Sequence, residues 1–354
     1  MEGKKVNVVE LIEKVKELVK QTCYDLPKDV YECLKVSKEK ETENTPKEVL
    51  DIMIKNADIA RSESLPICQD TGFAIFFVEL PENFSLEGSL EDILERIFES
   101  FKKQNKVSKK VLEILEKDRS YFKNYEALKN LVSKYTKKDI NKYYEYFTFE
   151  NYILSLENKP LLDIALEQAT REGYIEGYLR KSIVCDPLFE RKNTLDNTPC
   201  IIHTHFSKRK DVKIGFMPKG GGSENMSVLK MLKPADGVEG LKKFVIETVK
   251  NAGPNPCPPL IIGIGVGGNF DYAPTLAKKA LLRPIGNRNK NPLYAKLEEE
   301  LLEELNKLNI GPGGFGGKTT VLDVRIEYFP CHIATLPVAI NIQCHAARYR
   351  EITL

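Results

Sequence analysis

Residues 7–60 set apolar residues at helical spacing among charged ones and predict several consecutive helices. The first of these stretches, MEGKKVNVVELIEKVKELV, is amphipathic and carries acidic residues. Phe73–Leu80 is a short apolar run, the pattern of a buried strand. Beyond it the texture changes. No glycine occurs between Gly88 and Gly173, and Pro160 is the only proline in that stretch. It is rich in Lys, Glu, Leu and Tyr, with apolar stripes such as Val107, Val111, Leu112 and Leu115, and predicts another set of helices.

From Gly173 onward glycine and proline return, and short apolar runs alternate with turns. KSIVCDPLFERKNTLDNTPCIIHTHF predicts a strand, a loop and a second strand. VKIGFMPKGGGSENMS predicts a strand ending in a glycine turn, and DGVEGLKKFVIETVKNAG a helix closed by glycine. PLIIGIGVGG reads as a buried strand, DYAPTLAKKALL as the helix after it, and residues 294–308 as a charged amphipathic helix. GPGGFGGKTTVLDVRIEYF returns to loop and strand. The sum is an α/β fold with a helical N-terminal part and a helical insertion.

A chain of 354 residues can bury a substantial core, as one large domain or two ordinary ones. Apolar residues make up 42% and charged residues 29%, a soluble globular composition. The net charge of +2 sets no strong field, which argues against nucleic acid as the main partner. The basic middle of the glycine-free stretch reads as a solvated helical face. Nothing approaches the roughly 18 consecutive apolar residues of a membrane span. The N-terminal stretch has neither the apolar core of a signal peptide nor the acid-poor character of a transit peptide, so the expected location is cytoplasmic. There the eight cysteines, at 23, 33, 68, 185, 200, 257, 331 and 344, are not expected to pair as disulfides.

Several patterns carry chemistry. Gly263–Gly268 fits G-x-G-x-x-G between a strand and a helix, but the following region, RPIGNRNKNP, is basic and loop-like where a dinucleotide site wants an acidic residue. Lys219–Ser223 is not a phosphate loop, since the lysine precedes the glycines; its three glycines could form a backbone nest for a carboxylate. His203 and His205 share one face of a strand, with no third metal ligand evident. Three cysteines stand apart from ordinary core thiols. Cys68 lies in PICQDTG, Cys257 in GPNPCPP, and Cys344 in INIQCHAAR with Arg348 four residues on. Three thiolates are one fewer than a fully ligated four-iron cluster takes. An iron left open can act as a Lewis acid toward a hydroxyl and a carboxylate, which suits the addition or removal of water.

PICQDTG, KGGGSENMS, GPNPCPP, KALLRPIG and CHAAR resemble, in order, the motifs of the iron–sulfur hydro-lyases called class I fumarate hydratases and L-tartrate dehydratases. The likeness is to the α subunit of the two-subunit form. It spans residues 1–97 and 164–354 as one discontinuous domain, leaving 98–163 as a helical insertion. The resemblance implies a [4Fe–4S] cluster on Cys68, Cys257 and Cys344, with Cys185 and Cys200 the nearest rivals among the remaining thiols. It implies that Gln69, Asp70, Arg180, Gly220 and Gly221 contact the substrate. Of these, Asp70 is the candidate catalytic carboxylate, and Arg180 offers a planar fork for a substrate carboxylate.

The implied reaction is the reversible hydration of fumarate to (S)-malate, a step of the tricarboxylic acid cycle. The loop KGGGSEN resembles the fumarase KGGGSAN and favours fumarate over the alternative, L-tartrate. Fused members continue into a second domain, whereas this sequence ends at Leu354 soon after CHAAR. The expectation is half an enzyme, active only with a β subunit that supplies the base. A homodimer contact through this chain is also expected. A reading of another class is a non-enzymatic iron–sulfur sensor that binds RNA through the basic helical stretch. Binding that weakens steeply with salt would mark it. Asp70 and Arg180 favour the enzyme.

Overall fold

The computed structural model describes residues 4–136 and 147–354. Its contacts group them into two compact units. One comprises the chain up to Gln21 with Gln69–Pro218 and Glu351–Leu354; the other comprises Thr22–Cys68 with Lys219–Arg350. Among the described residues no helix is long and apolar enough to cross a membrane. The mixed α/β class expected from the sequence is the one observed.

In the first unit, strand β1 (Lys5–Asn7) precedes the helix Val8–Tyr24, and β2 is Phe73–Pro81. A short β3 (Ser85–Glu87) pairs with β1 in parallel. The glycine-free stretch is helical at Glu91–Lys103, Lys109–Lys117, Tyr125–Ser133, Phe149–Ser155 and Leu161–Glu176. Residues 137–146, with three of its tyrosines, lie outside the described residues. Glu91–Lys103 buries Ile93, Leu94, Ile97, Phe98 and Phe101, a stripe at helical spacing. Its acidic first turn and basic last turn match the helix dipole. Asn124 and Thr148 cap the next helices, accepting from the amides of Ala127 and Asn151 at 2.9 and 3.2 Å. Phe98, Phe101, Phe149 and Tyr152 interlock, with ring centroids 5.3–6.1 Å apart.

Strand β4 (Ile201–Ser207) lies parallel to β2, with Phe77 opposite His203. With β5 (Lys213–Lys219) and a C-terminal strand, β10 (Arg350–Thr353), they form a four-stranded sheet in the order β10-β5-β2-β4. One expected element is missing. The KSIV segment does not form a strand and makes only an isolated bridge, Val184 to Asn193. The connection that follows turns through left-handed backbone at Arg191, Leu195 and Asn197, which a β ladder cannot accommodate.

The second unit is built on a sheet in the order β6-β9-β7-β8, where β6 is Val228–Leu232, β7 Leu260–Gly267, β8 Val321–Phe329 and β9 Leu336–Gln343. Side chains alternate across it. Leu260, Ile262, Ile264 and Val266 join the core shared with helices Gly237–Ala252 and Pro292–Asn306. The opposite face carries Gly263 and Gly265 against the helix Tyr272–Ala280. A Cβ at Gly265 would fall 2.0 Å from the carbonyl oxygen of Ala273, and one at Gly263 would fall 2.2 Å from that of Ala277. The glycines of the G-x-G-x-x-G pattern thus let a helix backbone approach a strand backbone, and packing accounts for them. Helices Lys28–Lys40 and Asn44–Glu63 complete this unit.

Candidate active site

All three singled-out thiols belong to the second unit. Cys257 is exposed and adopts a left-handed φ of 56°, uncommon for a residue with a side chain. Its amide donates to the carbonyl of Pro254 at 3.0 Å, and Gly313 donates to Pro258 at 2.8 Å, so the proline-rich turn is fixed through its backbone. The carbonyl of Cys257 accepts two bonds from His345, one from the amide at 3.3 Å and one from Nδ1 at 3.0 Å. A carbonyl can only accept, so the ring proton sits on Nδ1. His345 follows Cys344 directly, and this double grip ties the two cysteine segments together. The segment before Cys68 is pinned as well. Ile67 donates its amide to Cys23 at 3.0 Å and accepts from the Asn56 side chain at 2.8 Å.

The thiols influence one another. Although Cys257 is exposed as a residue, partial desolvation of its thiol raises it above its ordinary range, and Cys68 raises it further as a like charge. Burial also raises Cys344, opposed by Arg348, while Cys68 adds to the rise and Lys219 counters it. Among the described residues no group of three His, Cys, Asp or Glu side chains is arranged to hold a single metal ion. Three thiol sulfurs with buried cations beside them are a donor set that would suit an iron–sulfur cluster. The rivals differ. Cys200 lies in the first unit, its thiol pushed well up by burial, and Cys185 sits in the loop before it. Cys23 and Cys33 are driven to about 11 by burial.

The glycines that read as a possible nest for a carboxylate run into a short helix. Gly220, with φ −66°, opens a short helix, Gly221–Glu224. Gly221 and Gly222 are exposed, and a Cβ at Gly222 would meet nothing within 4 Å. A feature missed in the sequence lies beneath it. Lys219 is 2% exposed, donates to Ser223 Oγ at 2.7 Å and pairs with Glu224 at 3.3 Å. Glu224 is shared with Lys278 at 2.5 Å and with Asn341 at 3.0 Å. Burial lowers the Lys219 ammonium to about 8, with Glu224 opposing that fall. The only sequence signal was a lysine ending a strand that is otherwise buried.

In the first unit, Gln69 is exposed and Asp70 half-buried. Asp70 Oδ1 accepts from the amide of Gly72 at 3.0 Å, which orients the carboxylate at the turn. Arg180 is exposed, and its carbonyl accepts from Thr71 Oγ1 at 2.6 Å. One hydrogen bond therefore joins the two segments that carry the proposed substrate groups. His203 is stacked on Phe77 at 4.7 Å and His205 is exposed.

A family model described as fumarate hydratase (Fumerase) matches residues 12–123 and 153–353. A Methanocaldococcus jannaschii protein, provisionally named L(+)-tartrate dehydratase subunit alpha, is 37% identical over 94% of both chains. The L(+)-tartrate dehydratase subunit alpha of Escherichia coli K12 is 29% identical over 91% of this chain and 84% of its own. That of E. coli O157:H7 is 30% identical over the same shares. Fold and similarity together define a hydro-lyase. The chain belongs to the fumarate hydratase (Fumerase) family, which sets aside the reading as a non-enzymatic RNA-binding sensor.

Proposed function

We propose that the chain is the α subunit of a two-subunit iron–sulfur dehydratase that eliminates water from L(+)-tartrate. The observation that carries this is likeness over nearly the whole length to relatives named as tartrate dehydratase α subunits. Fumarate is the second reading, and it rests on the loop KGGGSEN. The residue at which that loop departs from KGGGSAN is Glu224, which is held by Lys219, Lys278 and Asn341. The departure is built into its surroundings, so the loop weighs less than the whole chain.

Cys68, Cys257 and Cys344 would hold a [4Fe–4S] cluster, and their shared electrostatic neighbourhood supports this. When bound, the cluster supplies one open iron as a Lewis acid. Arg180 binds a substrate carboxylate through its two-pronged guanidinium. The amides of Gly220 and Gly221 donate to the same anionic substrate. Gln69 and Asp70 orient its hydroxyl, Asp70 accepting a hydrogen bond from it while the proton stays on the departing oxygen. The base for the carbon-bound proton comes from a β subunit, in keeping with relatives named as subunit alpha. Tyr178, Leu188, Phe189 and Leu195 lie near Arg180 in sequence and are well exposed, Tyr178 at 89% and Phe189 at 85%. Such apolar side chains suit a surface that a partner covers. On this reading residues 98–163 are an insertion in a domain of 1–97 and 164–354, wider than the break in the family match at 124–152.

The test is anaerobic co-expression with a β-type partner, then assay on L(+)-tartrate and fumarate. Preference for tartrate by at least about tenfold in kcat/KM, and negligible turnover by the α chain alone, are expected. The opposite ranking would restore fumarate, and robust turnover by the chain alone would place the base within it.

A further inference from the structure

Asn197 lies in none of the motifs that mark the site, yet it sits at the junction of two segments that do. It is fully buried and left-handed, with φ 63°, a conformation that asparagine tolerates better than most residues. Its Oδ1 accepts from the amide of Ser182 at 2.9 Å, and its Nδ2 donates to the carbonyl of Gly72 at 3.0 Å. Ser182 is two residues beyond Arg180, and Gly72 is two beyond Asp70. The bonds at the two ends of one amide are of opposite polarity, so the orientation of the side chain is determined. Tyr174 reinforces the turn, its hydroxyl reaching the carbonyls of Thr71 and Gly72 at 2.7 and 3.2 Å.

The residue before Asn197 is anchored by charge. Asp196 is fully buried and accepts from Arg171 Nε at 3.0 Å, from Lys106 Nζ at 3.4 Å, and from the amide and hydroxyl of Thr198 at 3.0 and 2.6 Å. Lys106 also donates to the carbonyl of Thr194. The Arg171 guanidinium lies 4.6 Å from the ring of Phe101 and 4.4 Å from that of Tyr152. Lys106, Phe101 and Tyr152 all belong to the segment 98–163, whose described residues are mostly helical. That segment therefore braces the loop whose next residue links the Asp70 and Arg180 segments.

We propose that Asn197 is a positioning residue that sets the Asp70 turn against the Arg180 segment, and that the helical segment, through Lys106 and its aromatic wall, holds Asn197 in place. The proposal deepens the dehydratase reading and rests on it for the substrate. The latch itself is testable without turnover.

The first measurement is amide hydrogen exchange on the full α chain. Asn197→Gly keeps the left-handed backbone accessible and removes both bonds. It should speed exchange at least about tenfold in residues 69–72 and 180–183 together, leaving strand β2 unchanged. Asn197→Asp keeps the acceptor for Ser182 but sets an oxygen against the Gly72 carbonyl, so only the 69–72 segment should loosen. Unchanged exchange, or loosening spread over the whole unit, would overturn the latch. The second measurement is a double-mutant cycle with Arg180→Ala in the co-expressed complex. Asn197→Gly should cost about tenfold or more in kcat/KM alone and under about twofold when Arg180 is already absent. Equal costs in both backgrounds would make Asn197 merely structural. A wild-type complex inert toward L(+)-tartrate would sink the substrate reading, while the exchange result would still decide the latch.

Discussion

The segments that carry Cys68, Cys257 and Cys344 are fixed by a different kind of bond from those that carry Asp70 and Arg180. Around the thiols the main chain is held mostly by itself, through prolines, a left-handed Cys257, and amide-to-carbonyl bonds at Pro254, Pro258 and Cys23, with one bond each from the side chains of Asn56 and His345. Around Asp70 and Arg180 the main chain is held by side chains: Thr71, Tyr174 and Asn197, with Asp196 set between Arg171 and Lys106 behind them. A backbone-fixed segment tolerates side-chain changes nearby, provided the thiol itself stays. A side-chain-fixed segment fails at any of several distant residues. The contrast fits the chemistry. Under the proposed roles, a thiolate ligand would need a fixed Cα and one sulfur, whereas a carboxylate clamp would have to keep the angle of a planar fork.

Substitution at the thiols should show the largest effect. Cys68→Ser, Cys257→Ser or Cys344→Ser should each abolish activity and most cluster absorbance after anaerobic reconstitution. Cys33→Ser should leave both near wild type. A single ligand variant that retains the full cluster signal would remove that cysteine from the set.

Next is the buried charge. Asp196→Ala strands Arg171 and Lys106 without their shared carboxylate, and losing one partner of a buried pair costs about 3–5 kcal/mol. Chemical denaturation of the apo chain reads this directly. A loss below about 1 kcal/mol would mean that the first unit does not depend on its side-chain network.

Lys219 gives a pH-dependent effect. In the folded chain burial lowers its ammonium to about 8, against 10.5 in the unfolded chain. Between those values the unfolded chain binds more protons, so this group's contribution to stability rises with pH. Below about 8 the cost of burying the charge is fully present. The rise reaches at most about 1.4 kcal/mol per pH unit. Lys219→Met should remove it, seen as the wild-type-minus-variant difference in denaturation midpoint from pH 8 to 10. Cys344 and Lys219 shift each other, so the same comparison is made in a Cys344→Ser background. A difference that is flat with pH would place the ammonium in water.

The smallest effect concerns the fork. Arg180→Lys keeps the charge and loses the planar geometry, at about 1.5–3 kcal/mol of transition-state binding. Unchanged kcat/KM would show that a point charge suffices there.

What was legible in the sequence follows the same division. Cys68, Cys257 and Cys344 stood out because each lies in a short rigid or polar run, PICQDTG, GPNPCPP and INIQCHAAR, that is visible without any long-range contact. The strand at 73–81 and the helices at 237–252 and 292–306 were visible because their apolar period is local. Asn197 was not visible, because its partner at Gly72 lies 125 residues away, and no local pattern distinguishes a latch from a turn. The KSIV strand was predicted from propensity and lost to left-handed turns, which only tertiary bonds such as those of Asn197 hold in place. The glycines of GIGVGG suggested a ligand when their constraint is a helix lying against a strand.

The Asp196 arrangement also imposes a schedule on synthesis. Asp196 leaves the ribosome 25 residues after Arg171 and 90 after Lys106. At roughly 5–20 residues per second, Arg171 waits about 1–5 s and Lys106 about 5–20 s for their carboxylate. During that interval, enclosing a bare guanidinium between Phe101 and Tyr152 would bury an unpaired charge. The helices around 98–176 are thus expected to stay loosely packed on the nascent chain until residue 196 has emerged. Arrest peptides placed before and after that point should register the change as a step in folding force.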